Sequence, residues 1–239
     1  MSKSHLERHE VDAFRTDSID PLFYAFHLGD LLNTLGPDAL DCMDPSTLTA
    51  ANRDLWERDF IRYLDRLMRN VLLAYGPDRR AFLKGHSLAA AAAMAARWPD
   101  AVFLTVLRDP IKRIQSVVNF HREQPGEVVA AIPWGWLVAR DVPLEVRYND
   151  EELAWFTRPD GPARVVVRFD DYVGDLPGAL ARVYRECLGG EVPPMLPTTH
   201  TKRSRSYTTD KSLEELGVDV AALRARSAAF SQWCHGMVE

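Results

Sequence analysis

Seven consecutive residues, Ala101-Val102-Phe103-Leu104-Thr105-Val106-Leu107, carry no charge, and the run stops abruptly at Arg108-Asp109-Pro110. β-Branched and aromatic side chains without polar alternation are the pattern of a strand buried on both faces, as in a parallel sheet. A parallel strand demands a crossover, so helices must flank this run. The residues on either side supply them. Ile111, Ile114, Val117 and Val118 fall on one side of a helix that follows, and Leu88 to Trp98 is made almost wholly of strong helix formers. Ser87 suits the N-cap of that earlier helix and Pro99 its stop. Upstream, Arg80-Ala81-Phe82-Leu83-Lys84 reads as another buried strand and Gly85-His86-Ser87 as a turn. Downstream, Ala163 to Phe169 is a further core strand. Strand, helix, strand, helix at this length predicts an α/β fold, a parallel sheet with flanking helices in three layers.

The remaining segments attach to that core. Trp56, Phe60, Tyr63, Leu64, Leu67, Val71 and Leu72 form one apolar stripe on a long helix, broken by Gly76-Pro77-Asp78. Residues 124–160 show no clear period; Pro133-Trp134-Gly135-Trp136 and Trp155 to Gly161 are aromatic and rich in turn formers. Asp175 caps a helix with Pro177 in its first turn, ended by Gly189-Gly190. A basic loop follows over 193–209, and Val220 to Trp233 predicts one amphipathic helix. With no repeat or low-complexity linker, residues 1–239 read as a single domain, 1–79 mostly helical and 80–239 the α/β core.

Charge narrows the partners. The chain of 239 residues has a formal net charge of −5, so no basic surface for nucleic acid is expected, and an anionic ligand must be held by a local cluster of basic residues. Cys42, Cys187 and Cys234 are too sparse for a disulfide framework and fit a reducing compartment. No CxxC or HExxH spacing marks a metal site. The charged N-terminus is not a signal peptide, and the longest weakly polar run is too short to span a bilayer. A cytoplasmic protein is expected, with a homo-oligomer left open.

A parallel sheet places its ligand at the carboxyl ends of its strands. Lys84 and His86 end one predicted strand, Arg108 ends the next, and Ser116 lies two turns into the following helix. An arginine at a strand end beside a helix N-terminus suits a phosphate. A histidine there can take a proton from a hydroxyl near neutral pH.

These residues carry a resemblance. Leu107-Arg108-Asp109-Pro110, with Ser116 eight residues after Arg108, resembles the 3′-phosphate-binding segment of the sulfotransferases that use 3′-phosphoadenosine 5′-phosphosulfate (PAPS). Phe82-Leu83-Lys84-Gly85-His86 is similar to that family's strand-end motif. Trp98-Pro99-Asp100-Ala101 resembles a turn common in its bacterial members, and Val167-Arg168-Phe169-Asp170-Asp171-Tyr172 a later strand. His200 to Tyr207, then Ser212 to Gly217, look like its basic C-terminal loop and last helix. The likeness runs from about residue 80 to the end. It implies a sulfotransferase fold of the P-loop-NTPase-like kind, PAPS as sulfuryl donor and no metal. The acceptor would be a small molecule, glycan or lipid bearing a hydroxyl or amine. His86 would be the base and Lys84 the sulfuryl-group stabiliser. Arg108, Ser116, Lys202, Arg203 and Arg205 would hold the 3′-phosphate.

Two departures stand beside the likeness. The family begins with a strand and a glycine-rich phosphosulfate loop, and residues 1–80 contain no glycine-rich turn after a strand. A chain starting downstream of the loop, half of a split protein and a non-catalytic relative that binds nucleotide all stay open. Phe169 stands where many relatives have a tyrosine contacting adenine. The rival reading takes Gly85-His86-Ser87-Leu88-Ala89 as the nucleophile elbow of an α/β-hydrolase with Ser87 as nucleophile. It ranks second: Ala89 replaces the final glycine, no His-Gly oxyanion segment lies upstream, and Arg108 and Ser116 go unexplained.

Overall fold

The computed structural model describes residues 50–78, 80–83, 88, 91–123, 133–190, 192 and 210–236. Contacts divide the chain into two compact units, Met1–Pro99 and Asp100–Glu239. The described residues hold eight helices and one two-stranded parallel sheet, a helix-rich α/β chain. None of these helices is long and apolar enough to cross a membrane.

In the first unit α1 spans Ala50–Tyr75 and α2 Ala91–Arg97. Phe60 and Leu64, one turn apart, are fully buried. Elsewhere on the predicted stripe Tyr63 and Val71 are exposed. Gly76, at φ 125°, ends α1 in a conformation that side chains avoid. The two helices are joined by Arg97, whose Nη2 donates to Asp65 Oδ1 at 2.6 Å. The strand predicted over 80–84 is overturned for its described part: residues 80–83 carry no regular structure and Phe82 is 82% exposed. An extended segment becomes a strand only by pairing, and no described strand pairs with it.

The second unit starts with β1, Val102–Leu107, followed by α3, Pro110–Glu123. Next come α4, Trp134–Thr157, and β2, Ala163–Arg168. Then follow α5 (Phe169–Gly174), α6 (Leu176–Leu188), α7 (Val220–Arg226) and α8 (Ala228–Gly236). The strands are parallel and in register from Val102 opposite Ala163 to Leu107 opposite Arg168, so the predicted helical crossover connects them. Helices cover both faces. Leu107 and Val166 pack on Phe230 and Cys234 of α8 with Leu153 and Phe156 of α4, while Val165 and Val167 pack on Ala179 and Cys187 of α6. Two strands make the whole sheet among the described residues.

The segment expected to be irregular is instead the 24-residue helix α4, with Pro143 inside it. Its buried face is largely polar: Arg140, Asp141, Glu145, Asn149 and Glu152 are all buried. Hydrophobic periodicity is silent on such a helix. The single C-terminal helix expected over 220–233 is two, because Ser227 leaves helical geometry between α7 and α8. The segment likened to a last helix is one turn over residues 213–217, closed reciprocally by Ser212 and Glu215.

The caps of α6 behave as expected. Asp175 accepts a hydrogen bond from the Gly178 amide at 3.0 Å, and Gly189 ends α6 at φ 57°. Asp175→Ala should destabilise the protein by about 1 kcal/mol while Asp175→Asn or Asp175→Ser is nearly neutral, measured by urea unfolding.

Candidate functional site

Leu107 pairs with Arg168, so Arg108 and Phe169 leave the sheet side by side at its carboxyl edge. The Arg108 guanidinium carbon lies 4.7 Å from the centre of the Phe169 ring. Its Nε is buried with no hydrogen-bond partner among the described residues. Among the described residues Asp109 forms no ion pair with Arg108. Its carboxylate accepts from the Lys112 amide at 2.9 Å, making it the N-cap of α3 ahead of Pro110. Ser116, two turns on, is exposed rather than packed in the core. Asn119, one turn further, pins the chain after the basic loop. Its amide donates to Lys211 O and accepts from Lys211 N, both at 2.9 Å. The structure thus places Arg108 and Ser116 at the strand end and on the helix that follows it; Lys84, His86, Ser87, Lys202, Arg203 and Arg205 lie outside the described residues.

Cys234 borders this edge. Its thiol donates to the Arg108 carbonyl at 3.7 Å. Burial, reinforced by Glu152 and Asp109 against Arg113 and Arg168, pushes the thiol up to about 11, so it stays protonated and is no nucleophile at neutral pH.

A second polar cluster escaped the sequence reading. Arg113 of α3 donates to Glu152 and, at 3.2 Å, to Glu145, both on α4; Thr105 of β1 donates to the other oxygen of Glu152. Farther along, His121 Nδ1 lies 2.9 Å from Asp141 Oδ2, and Arg140 Nε donates to Asp141 Oδ1 at 2.5 Å. Asp141 is 0% exposed. Asp141, Glu145, Asn149 and Glu152 follow one another at four-, four- and three-residue steps, a helical period written in polar residues. That spacing is the signal that could have revealed α4. Among the described residues no three His, Cys, Asp or Glu side chains are gathered to hold a metal ion.

The tryptophans pack structurally. Arg122 and Lys211 flank the Trp134 ring, Arg140 lies over Trp136, and Arg158 sits 3.7 Å from the centre of Trp155. Comparison with protein-family models, curated proteins and solved structures gives no match to this chain.

Burial pushes the Glu145 carboxyl up, and the Asp141 carboxylate adds to it, while Arg113 and His121 oppose without cancelling the shift. Folded Glu145 therefore holds its proton more tightly than the unfolded chain does. Its contribution to stability is complete below the unfolded value of about 4.3 and is lost as pH rises through the raised folded value. Glu145→Gln should remove that loss. The melting temperature of the variant minus that of the parent should rise from pH 4 to neutrality, followed by circular dichroism; a difference independent of pH would contradict the assignment.

Proposed function

We propose that the chain is a sulfotransferase-like protein that takes a sulfuryl group from PAPS to a hydroxyl or amine acceptor, on a three-layer α/β core. The observation that carries the proposal is Arg108. It stands at the carboxyl end of β1, with no carboxylate partner among the described residues and a buried Nε lacking an acceptor among them. A phosphate oxyanion is the kind of group that satisfies such a donor. The capped amino end of α3 directly after it favours negative charge, and Ser116 offers an exposed hydroxyl on the same helix. The motif likeness of Lys84, His86 and the 202–205 stretch supports the same reading. Asn119 adds to it, since it fixes Lys211, six residues after Arg205, one turn from Ser116.

In this reading Arg108 and Ser116 hold the 3′-phosphate, helped by Lys202, Arg203 and Arg205. PAPS supplies a sulfuryl group on a phosphate leaving group. His86 takes the proton from the acceptor hydroxyl as its oxygen bonds to sulfur. The sulfur–oxygen bond to the 5′-phosphate breaks, and Lys84 offsets the charge that develops on that phosphate. Of the residues assigned to the 3′-phosphate, the described ones, Arg108 and Ser116, are of the types that suit that end of the donor.

Titration calorimetry with 3′-phosphoadenosine 5′-phosphate tests the reading. Arg108→Ala should weaken binding by about 2–3 kcal/mol, the worth of charge-assisted hydrogen bonds. His86→Ala should bind nucleotide almost as the parent does and lose sulfuryl transfer. Equal binding by the parent and Arg108→Ala would show the site to be misassigned.

A further inference from the structure

We infer that Phe169 is a positioning residue for the Arg108 guanidinium, holding it in place so that its charge stays available to an external phosphate. The inference rests on the nucleotide reading above and deepens it. Three carboxylates lie next to this pair in sequence: Asp109, Asp170 and Asp171. None forms an ion pair with Arg108; the guanidinium carbon sits 4.7 Å from the Phe169 ring centre instead. The distinction has a chemical consequence. A carboxylate partner takes up guanidinium N–H donors and cancels the positive charge. A ring beside the guanidinium leaves the positive charge uncancelled by any carboxylate. Such a platform orients the cation without spending what a phosphate needs.

The strand register supplies the rigidity. Arg108 and Phe169 directly follow a registered pair, Leu107 and Arg168, on adjacent parallel strands. Each backbone is held from the other side as well. Asp109 caps α3 immediately after Arg108, and Cys234 donates to the Arg108 carbonyl at 3.7 Å. Phe169 opens α5, which runs to Gly174. The ring and the cation therefore meet through fixed backbones, so the guanidinium loses little freedom when a phosphate binds.

A double-mutant cycle read by calorimetry tests this. 3′-Phosphoadenosine 5′-phosphate and adenosine 5′-phosphate are titrated into the parent, Phe169→Tyr, Phe169→Leu, Arg108→Ala and the Arg108→Ala/Phe169→Leu double variant. Phe169→Tyr, which keeps the ring, should bind within about twofold of the parent. Phe169→Leu should lose about fivefold for the 3′-phosphorylated nucleotide, as for loss of a partly desolvated cation–π contact, and nothing for adenosine 5′-phosphate. In the Arg108→Ala background Phe169→Leu should have no further effect. Phe169→Met replaces Phe169→Leu if the latter does not melt cooperatively. Loss of both nucleotides alike, or a further loss in the Arg108→Ala background, would mean that the ring contacts the nucleotide itself and would overturn the inference. So would parent-like binding by Phe169→Leu when Arg108→Ala has lost it; there the nucleotide site survives and only the role of Phe169 falls. A folded parent that binds neither nucleotide overturns both.

Discussion

The second unit depends on the Arg113 guanidinium. It reaches from α3 to Glu145 and Glu152 of α4, and Glu152 also receives the Thr105 hydroxyl from β1. Strand and both crossover helices thus share one buried polar knot. Apolar faces can slide past one another at modest cost, but a buried carboxylate that loses its cation is left with an uncompensated charge, at a cost of about 3–5 kcal/mol. One placement of α4 on α3 satisfies all the groups. The burial of Ile114, Val118, Leu137 and Val146 in that same interface supplies the apolar contact area, while the charges specify its register. The position of α3 over the carboxyl end of β1 follows, and with it the surroundings of Arg108 and Ser116.

Legibility followed the physics of each segment. β1 and β2 were readable as short apolar runs and α3 and α6 by apolar residues at the helical period, and Asp175 and Gly189 punctuate α6 with local rules. α4 was not readable, since its inward face is largely polar and Gly135 and Pro143 mimic breakers. Pro143 is tolerated near the middle of α4 because tertiary contacts outweigh its local preference. The predicted strand before Lys84 failed for another reason. Phe82 and Leu83 suit a strand, yet strand formation requires a partner that the local sequence cannot specify. The break at Ser227 was likewise invisible, because Val220, Leu223, Phe230 and Cys234 keep an approximate helical spacing across it while joining two different clusters.

The site was legible to a different depth. Arg108 reads correctly as a strand end beside a helix N-terminus, whereas the capping of that helix by Asp109 was not read from the sequence. Which group Arg108 would face was not legible, because its neighbour Phe169 is 61 residues away and arrives only through the pairing of β1 with β2.

Three arginines of the second unit show how differently one side chain is used. Arg113 is matched by two carboxylates and Arg140 by Asp141 with His121 alongside. Both are tied into the interface between α3 and α4, where an unmatched charge is costly. Arg108 is given a phenyl ring. In a chain with five more acidic than basic charges, carboxylates are not scarce, and the nearest in sequence, Asp109, is turned to the backbone of α3. A stabilising role would be better served by an ion pair at that position. Leaving the guanidinium oriented but unneutralised forgoes that stability, and the arrangement makes physical sense if the missing negative charge comes from a ligand.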